Sequence, residues 1–161
     1  MIANPSALAP QLREMRHGDV PRVAAIERES YEFPWSPGIF RDCLLAGYVS
    51  LALEFRGEVI GYAIMSVAAG EAHLLNLCVD LAHRRGGHGR QLLGAVLERA
   101  AEAGADQIHL EVRPSNDAAI ALYLASGFER IGVRRRYYRA SAGSEDAVLL
   151  ARQLDRHRRR R

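Results

Sequence analysis

The sequence of 161 residues has no lysine, only two cysteines and one tryptophan, and no apolar run of membrane-spanning length. Two cysteines are too few for a disulfide framework, and the apolar neighbours of Cys43 and Cys78 favour reduced thiols in the core. A helical membrane span, which needs about 20 apolar residues, is excluded. The first ten residues also lack the basic start and apolar stretch of a secretory signal, so we expect a cytoplasmic protein.

The basic charge of the chain is concentrated at its C-terminus. All 22 cationic side chains are arginines, which against 19 acidic residues give a net charge of +3. Five of these arginines are among the last six residues, and residues 1–155 carry 17 arginines against 19 acidic residues. We therefore expect no direct nucleic-acid binding, except through the arginine-rich tail.

Hydropathy periodicity predicts one α/β domain over residues 11–154, with a flexible arm over 1–10 and an arginine-rich tail over 155–161. An apolar fraction of 48% is enough for a core. Helices are predicted from Asp19 as the N-cap, from Ser36 to near Gly47, from the glycine-rich run to Gly104, and over 116–126. Strands are predicted over 11–15, 49–55, 59–67, 73–79, 108–112, 128–138 and 147–153. This order indicates a mixed sheet and not a regular alternation of strand and helix.

The sharpest local motif is a glycine turn at residues 84–89, Arg-Arg-Gly-Gly-His-Gly, between a predicted strand and a long helix. Glycines allow a tight turn, and the N–H groups of the following helix attract an anion such as a pyrophosphate. Arg85 and Arg90 would add positive charge. The spacing is neither a P-loop, which needs a lysine after its last glycine, nor a dinucleotide fingerprint. A plain connecting loop is the alternative.

This turn resembles the Arg/Gln-x-x-Gly-x-Gly/Ala signature of the GNAT superfamily of N-acetyltransferases, which binds the pyrophosphate of acetyl-CoA. The element order over residues 11–154 is similar to the fold of that superfamily. Other segments resemble its RimI type, which acetylates the N-terminal alanine of small-subunit ribosomal protein eighteen. These segments are Phe-Pro-Trp-Ser at 33–36, Leu-Cys-Val-Asp at 77–80, Leu-Glu-Val-Arg at 110–113, and the stretches 115–123, 135–138 and 145–147.

The resemblance implies an α/β fold with a mostly antiparallel sheet of six to seven strands, splayed at the acetyl-CoA site and flanked by about four helices. It implies direct acetyl transfer, with Glu111 as the proton acceptor and Tyr123 as the proton donor to the CoA thiolate. Contacts with acetyl-CoA are implied for a further set of positions: Leu77, Cys78, Val79, Arg85, Gly86, Gly87, His88, Gly89, Arg90 and Asn116.

The residues themselves leave the two catalytic roles open. Glu111 lies in an apolar strand, and burial would raise its pKa towards neutrality, which suits a general base. The alternative is a strand-end glutamate that faces water or pairs with Arg113. Tyr123 lies on an apolar helix, where an ordinary core tyrosine is the alternative to an acid. Asn116 could also cap that helix.

The implied acceptor is the N-terminal peptide of a ribosomal protein, between an aromatic loop at residues 31–35 and Tyr137 and Tyr138. The six histidines show no metal-ligand spacing, so no metal is predicted, and acetyl-CoA is the only cosubstrate. Two alternatives stay open. One is a GNAT enzyme that acts on other N-termini, lysines or a small amine, because function depends on the acceptor groove. The other is a non-catalytic CoA-binding or RNA-associated module.

Overall fold

The computed structural model describes residues 9–155, so most of the predicted arm over 1–10 and of the tail over 155–161 lies outside the described residues. Within this range there are four α-helices: α1 Val20–Ser30, α2 Pro37–Leu45, α3 His88–Glu102 and α4 Asp117–Ala125. Seven strands are present: β1 Gln11–Glu14, β2 Val49–Phe55, β3 Glu58–Ala68, β4 Glu71–Val79, β5 Gln107–Val112, β6 Glu129–Ala140 and β7 Gly143–Gln153. Within the described residues, no helix has the length and apolarity to cross a membrane.

The strands form one sheet in the order β1-β2-β3-β4-β5-β7-β6. The mixed, mostly antiparallel α/β sheet flanked by four helices was predicted and is confirmed. Strands β4 and β5 are parallel, and such a pair needs a crossover connection, which here contains α3. Their ladder joins three residue pairs, from Glu71 opposite Gln107 to His73 opposite His109, although β4 has nine residues.

Contacts between residues group the described chain into two units. Unit 1 comprises residues 9–66 and 76–96, and unit 2 comprises residues 67–75 and 97–155. Strand β4 and helix α3 each contribute residues to both units.

Unit 1 is organised around apolar faces of α1 and α2 and the hairpin of β2 and β3. Ser36 begins α2 as predicted, because its Oγ accepts a hydrogen bond from the backbone N–H of Ile39 at 3.4 Å. Asp19 is the N-cap residue of α1, as predicted, although its side chain makes no capping hydrogen bond to that helix. Its carboxylate accepts hydrogen bonds from the backbone N–H of Arg16 at 2.8 Å and from the Arg13 guanidinium at 2.7 Å.

Unit 2 is organised around the alternation of β5. Its residues Ile108, Leu110 and Val112 are buried, whereas His109 and Glu111 lie on the opposite face and are half-buried. Successive side chains of a strand point to opposite faces, so two residues two positions apart share one face. This alternation puts the candidate base on the same face as a histidine.

Candidate active site

The glycine turn connects β4 to α3 within unit 1. Arg85 and Gly87 both have positive φ angles, 69° and 79°, and the backbone N–H of Gln91 donates to the Gly87 carbonyl at 3.1 Å. The first N–H groups of a helix have no partner within that helix. An exposed turn of glycine and arginine therefore leads directly into a helix N-terminus, the arrangement that suits a pyrophosphate. Arg90 is exposed in the first turn of the helix.

His88 covers one side of the glycine turn. A Cβ atom at Gly86 would lie 2.7 Å from His88 Nε2, so the imidazole occupies the space that a side chain at residue 86 would need. The residues predicted to bind the pyrophosphate are consecutive in the sequence: Arg85, Gly86, Gly87, His88, Gly89 and Arg90. Their contacts with acetyl-CoA remain a prediction.

Asp80 anchors the chain just before this turn. Its buried carboxylate accepts a hydrogen bond from Arg22 Nη2 at 2.8 Å, and its backbone N–H donates to the Ile60 carbonyl at 2.8 Å. Arg84 Nε donates to the Val79 carbonyl at 3.1 Å. These bonds hold the backbone just before the turn in place. The turn therefore loses less conformational entropy when a ligand binds.

The strand segment Leu77–Val79 is the predicted binding site of the pantetheine arm. Cys78 is buried, as predicted for a packed thiol, and its carbonyl oxygen would lie 3.0 Å from a Cβ atom at Gly61. The Leu77 carbonyl accepts a hydrogen bond from the Tyr31 hydroxyl at 3.4 Å. The backbone of this segment is thus packed against β3 and tied to the aromatic loop, and its role with acetyl-CoA stays a prediction.

Glu27 is a buried carboxylate of unit 1 that sequence reasoning missed. It accepts hydrogen bonds from Asn76 Nδ2 at 2.6 Å, from the Tyr62 hydroxyl at 3.3 Å and from the backbone N–H of Trp35. Burial raises the pKa of Glu27, and these hydrogen bonds oppose the rise. In the sequence Glu27 is one of the residues at helical spacing in α1, and its three partners lie outside this helix.

Glu111 lies in unit 2 and its side chain is 9% exposed. His73 Nε2 is 2.5 Å from Glu111 Oε2, and Arg134 Nη1 is 3.9 Å from Glu111 Oε1. The alternative of a pair with Arg113 is wrong, because Arg113 pairs with Glu145 at 3.1 Å. The predicted rise in the pKa of Glu111 is also wrong. Its pKa is lowered, because the hydrogen bond from His73 and the nearby positive charges outweigh the effect of burial.

His73, His109 and Glu111 form a group of side chains of the kinds that bind transition metals, with nitrogen and oxygen atoms within 4.8 Å of one another. The two imidazole rings stack, with centroids 4.4 Å apart and an angle of 20° between planes. The lone pair of a ring nitrogen lies in the plane of its ring. In two stacked rings the lone pairs are therefore roughly parallel and do not converge on one metal ion. The geometry favours a hydrogen-bonded group, and the expectation that no metal is needed stays a prediction.

Tyr123 is buried in α4 of unit 2 and packs against Phe128, with ring centroids 5.6 Å apart. Tyr138 lies in the same neighbourhood. Burial raises the pKa of Tyr138, and the nearby Glu111 and Tyr123 contribute to that rise. The structure therefore brings the predicted acid and the predicted base to one region of unit 2. Asn116 Oδ1 accepts from the Ala119 N–H at 3.3 Å, which confirms that Asn116 caps α4.

A family model described as "Acetyltransferase (GNAT) family" matches residues 19–128, a range that includes the glycine turn. This span is more than half of the chain. The chain belongs to the GNAT acetyltransferase family. The resemblance seen in its motifs is thereby confirmed, and members of this family use acetyl-CoA.

Several GNAT proteins are similar to the chain over most of its length. A "[Ribosomal protein bS18]-alanine N-acetyltransferase" of Escherichia coli strain K12 is 38% identical over 133 residues, which cover 83% of this chain and 90% of the relative. A crystal structure of the Escherichia coli enzyme has a TM-score of 0.85 at 35% identity and covers 91% of this chain and 95% of that chain. Ard1 from Thermoplasma volcanium has a TM-score of 0.82 at 28% identity, over 91% of this chain and 99% of its own.

Each unit of this GNAT chain carries a defined share of the candidate site residues. Unit 1 holds the strand segment Leu77–Val79 and the glycine turn, and unit 2 holds Glu111, Tyr123 and Asn116. The residues that sequence reasoning missed are Glu27 and its partners in unit 1 and the two histidines beside Glu111 in unit 2. For the histidines a signal did exist, since two parallel strands with His at matched positions would place both rings beside Glu111.

Proposed function

We propose that this GNAT protein transfers the acetyl group of acetyl-CoA to the N-terminal alanine of small-subunit ribosomal protein eighteen. The observation that carries the proposal is the 38% identity with a bS18-alanine N-acetyltransferase over 83% of this chain and 90% of that protein. A shared scaffold alone would not support a particular acceptor, because GNAT function depends on the groove that admits the amine. The acceptor class implies a cytoplasmic enzyme.

We propose that the glycine turn binds the pyrophosphate of acetyl-CoA. The N–H groups at the start of α3 and the exposed Arg85 and Arg90 provide positive partial and full charges for this anion. The segment Leu77–Val79 would bind the pantetheine arm through its backbone, and one of its N–H groups would stabilise the oxygen of the thioester as it gains charge. An oxyanion donor of this kind contributes about 3 kcal/mol to lowering the barrier.

The chemistry needs one proton acceptor and one proton donor. In the proposed reaction, Glu111 takes a proton from the α-amine of the acceptor, whose ordinary pKa is near 8. The amine nitrogen then forms a bond to the carbonyl carbon of the thioester, and the carbon–sulfur bond breaks. The Tyr123 hydroxyl gives its proton to the departing CoA thiolate. No enzyme nucleophile is needed, which agrees with the packed environment of Cys78.

We propose that the aromatic loop forms one wall of the acceptor groove. Phe33 is 40% exposed at this loop, whereas Trp35 packs against Phe40 with ring centroids 5.4 Å apart. Glu29 and Glu32 are exposed close to the loop in sequence and suit the basic residues of a ribosomal acceptor. Glu145 is engaged by Arg113 and Ser115 and would have a structural role instead.

The deciding experiment is acceptor profiling by mass spectrometry. The protein is incubated with acetyl-CoA and, separately, a basic peptide that begins with alanine, a peptide with an internal lysine and a blocked N-terminus, and small amines. We expect acetylation of the alanine peptide. Acetylation of lysine or small amines alone would contradict the proposed acceptor, and acetyl-CoA binding without any turnover would support the non-catalytic module.

The matched control for this experiment is Glu111→Gln. It keeps the size of the side chain and removes the base, so turnover should fall by about 10²- to 10⁴-fold while acetyl-CoA binding stays at the wild-type level. Unchanged turnover in Glu111→Gln would remove Glu111 from the proposed role.

A further inference from the structure

His73 is the residue in closest polar contact with Glu111. The two side chains lie on adjacent parallel strands, because His73 is opposite His109 and Glu111 is two positions beyond His109 on the same face. The distance from His73 Nε2 to Glu111 Oε2 is 2.5 Å. His73 is 27% exposed, so its imidazole can exchange protons with solvent. The proposed reaction does not yet assign a task to this contact.

Other charged or titratable groups also face this pair. From β5, His109 stacks on His73, and its Nδ1 lies 3.5 Å from Glu71 Oε2 on β4. From β6, Arg134 approaches Glu111 Oε1 at 3.9 Å, and Tyr138 lies close enough for Glu111 to affect its pKa. Among these neighbours, His73 makes the hydrogen bond to the carboxylate.

We propose that His73 is a positioning residue for Glu111. The inference rests on the proposed role of Glu111 as the base, and it adds to that role a residue that holds the carboxylate.

An imidazole that donates its Nε2–H to Oε2 fixes the rotation of the carboxylate and leaves Oε1 to accept the proton of the amine. A hydrogen bond to an ionised carboxylate is about twice as strong as one between neutral groups, so a donor at residue 73 holds this orientation. Without such a donor the carboxylate can rotate, and its oxygen is less often placed to accept the proton.

The decisive variant is His73→Gln, because a glutamine amide can also donate a hydrogen bond to Glu111. We expect His73→Gln to keep kcat at saturating acceptor within a few-fold of the wild type.

Two further variants separate the hydrogen bond from the packing. His73→Phe fills the same position but donates no hydrogen bond, so its kcat should fall at least tenfold while the KM for acetyl-CoA is unchanged. His109→Phe keeps a ring stacked on His73 and leaves the hydrogen bond to Glu111 in place, so its kcat should stay within a few-fold of the wild type. Thermal unfolding of each variant checks that the fold is intact.

The inference is overturned if His73→Gln loses as much activity as His73→Phe, or if His73→Phe keeps the kcat of the wild type. It is also overturned if His109→Phe lowers kcat as much as His73→Phe, because the packing of the two rings would then explain the loss. Should the wild type acetylate a lysine or a small amine instead of the alanine peptide, the proposed acceptor fails and the same kcat comparison is made with that amine. A chain that acetylates none of these amines overturns both proposals.

Discussion

Glu27 and Glu111 are both shielded carboxylates, but their neighbours change their pKa values in opposite directions. Glu27 accepts hydrogen bonds from neutral donors, the Asn76 amide and the Tyr62 hydroxyl, and burial raises its pKa. Glu111 is paired with an imidazole and lies near Arg134, so its pKa is lowered. Shielding from solvent thus does not by itself decide the direction of a carboxyl pKa shift, because a hydrogen bond from a neighbouring side chain can outweigh desolvation.

Tyr123→Phe tests the proposed acid at the scale of one atom. Removal of the hydroxyl leaves the ring packed against Phe128, so the fold should be kept. The CoA thiolate would then leave unprotonated, and kcat should fall by about 10²-fold. The dissociation constant of acetyl-CoA, measured by calorimetry, should change by much less. Equal kcat in the variant and the wild type would exclude Tyr123 as the acid.

At the scale of elements, the close approach of β3, β4 and α3 depends on Gly61. A Cβ atom at residue 61 would lie 3.0 Å from the Cys78 carbonyl oxygen and 3.0 Å from Leu92 Cδ1. The first contact is with backbone, which a change of rotamer cannot relieve. Glycine at this position therefore lets the strand with the predicted pantetheine segment and the helix that follows the glycine turn pack closely on β3.

We predict that Gly61→Ala destabilises the protein by about 1–3 kcal/mol, because the added methyl group overpacks this contact. Gly94→Ala is the matched control. Gly94 is exposed on α3 and has no atom near the position of a Cβ, so alanine should raise the free energy of unfolding by about 0.5–1 kcal/mol through helix propensity. Urea unfolding of both variants measures the difference. A neutral or stabilising Gly61→Ala would show that the contact has room for a methyl group.

At the scale of the whole molecule, β1 lies at one edge of the sheet order and has only four residues. Arg13 ties this strand to its surroundings through Asp19 at 2.7 Å and Glu54 at 3.1 Å. The Arg13 hydrogen bond holds the pKa of Asp19 below its ordinary value, although burial opposes the shift. A carboxyl group whose pKa is lower in the folded chain stabilises the fold above its unfolded pKa. That contribution is lost as the pH falls through the folded pKa.

We therefore predict that Asp19→Asn lowers the free energy of unfolding at neutral pH by on the order of 1 kcal/mol. The difference from the wild type should shrink as the pH falls below about 4, because the wild-type carboxylate then becomes protonated as well. Urea unfolding at neutral and at acidic pH measures this. Asp42→Asn, an exposed aspartate of α2, serves as the control and should change stability little at either pH. A difference for Asp19→Asn that is constant over this range would contradict the prediction.

Most of the fold was predictable from local patterns. Apolar periodicity, the Ser36 cap, the Asn116 cap and the turn glycines indicated the type and order of the elements, and the structure confirms them. The error concerned a side chain that bonds to a partner far along the chain, because Glu111 pairs with His73 and not with Arg113. Asp19 is the N-cap residue of α1 as predicted, but its carboxylate binds Arg13 and the backbone N–H of Arg16.

The amino-acid pattern was sufficient for the class of fold, the GNAT family and the position of the glycine turn, because helix spacing, strand alternation and turn residues act over short stretches of chain. The tertiary structure alone decided which side chains neighbour Glu111 and Glu27. His73 is 38 residues from Glu111, and Asn76 is 49 residues from Glu27. These pairs depend on strand register and helix packing, and such contacts shift the pKa of each carboxyl group.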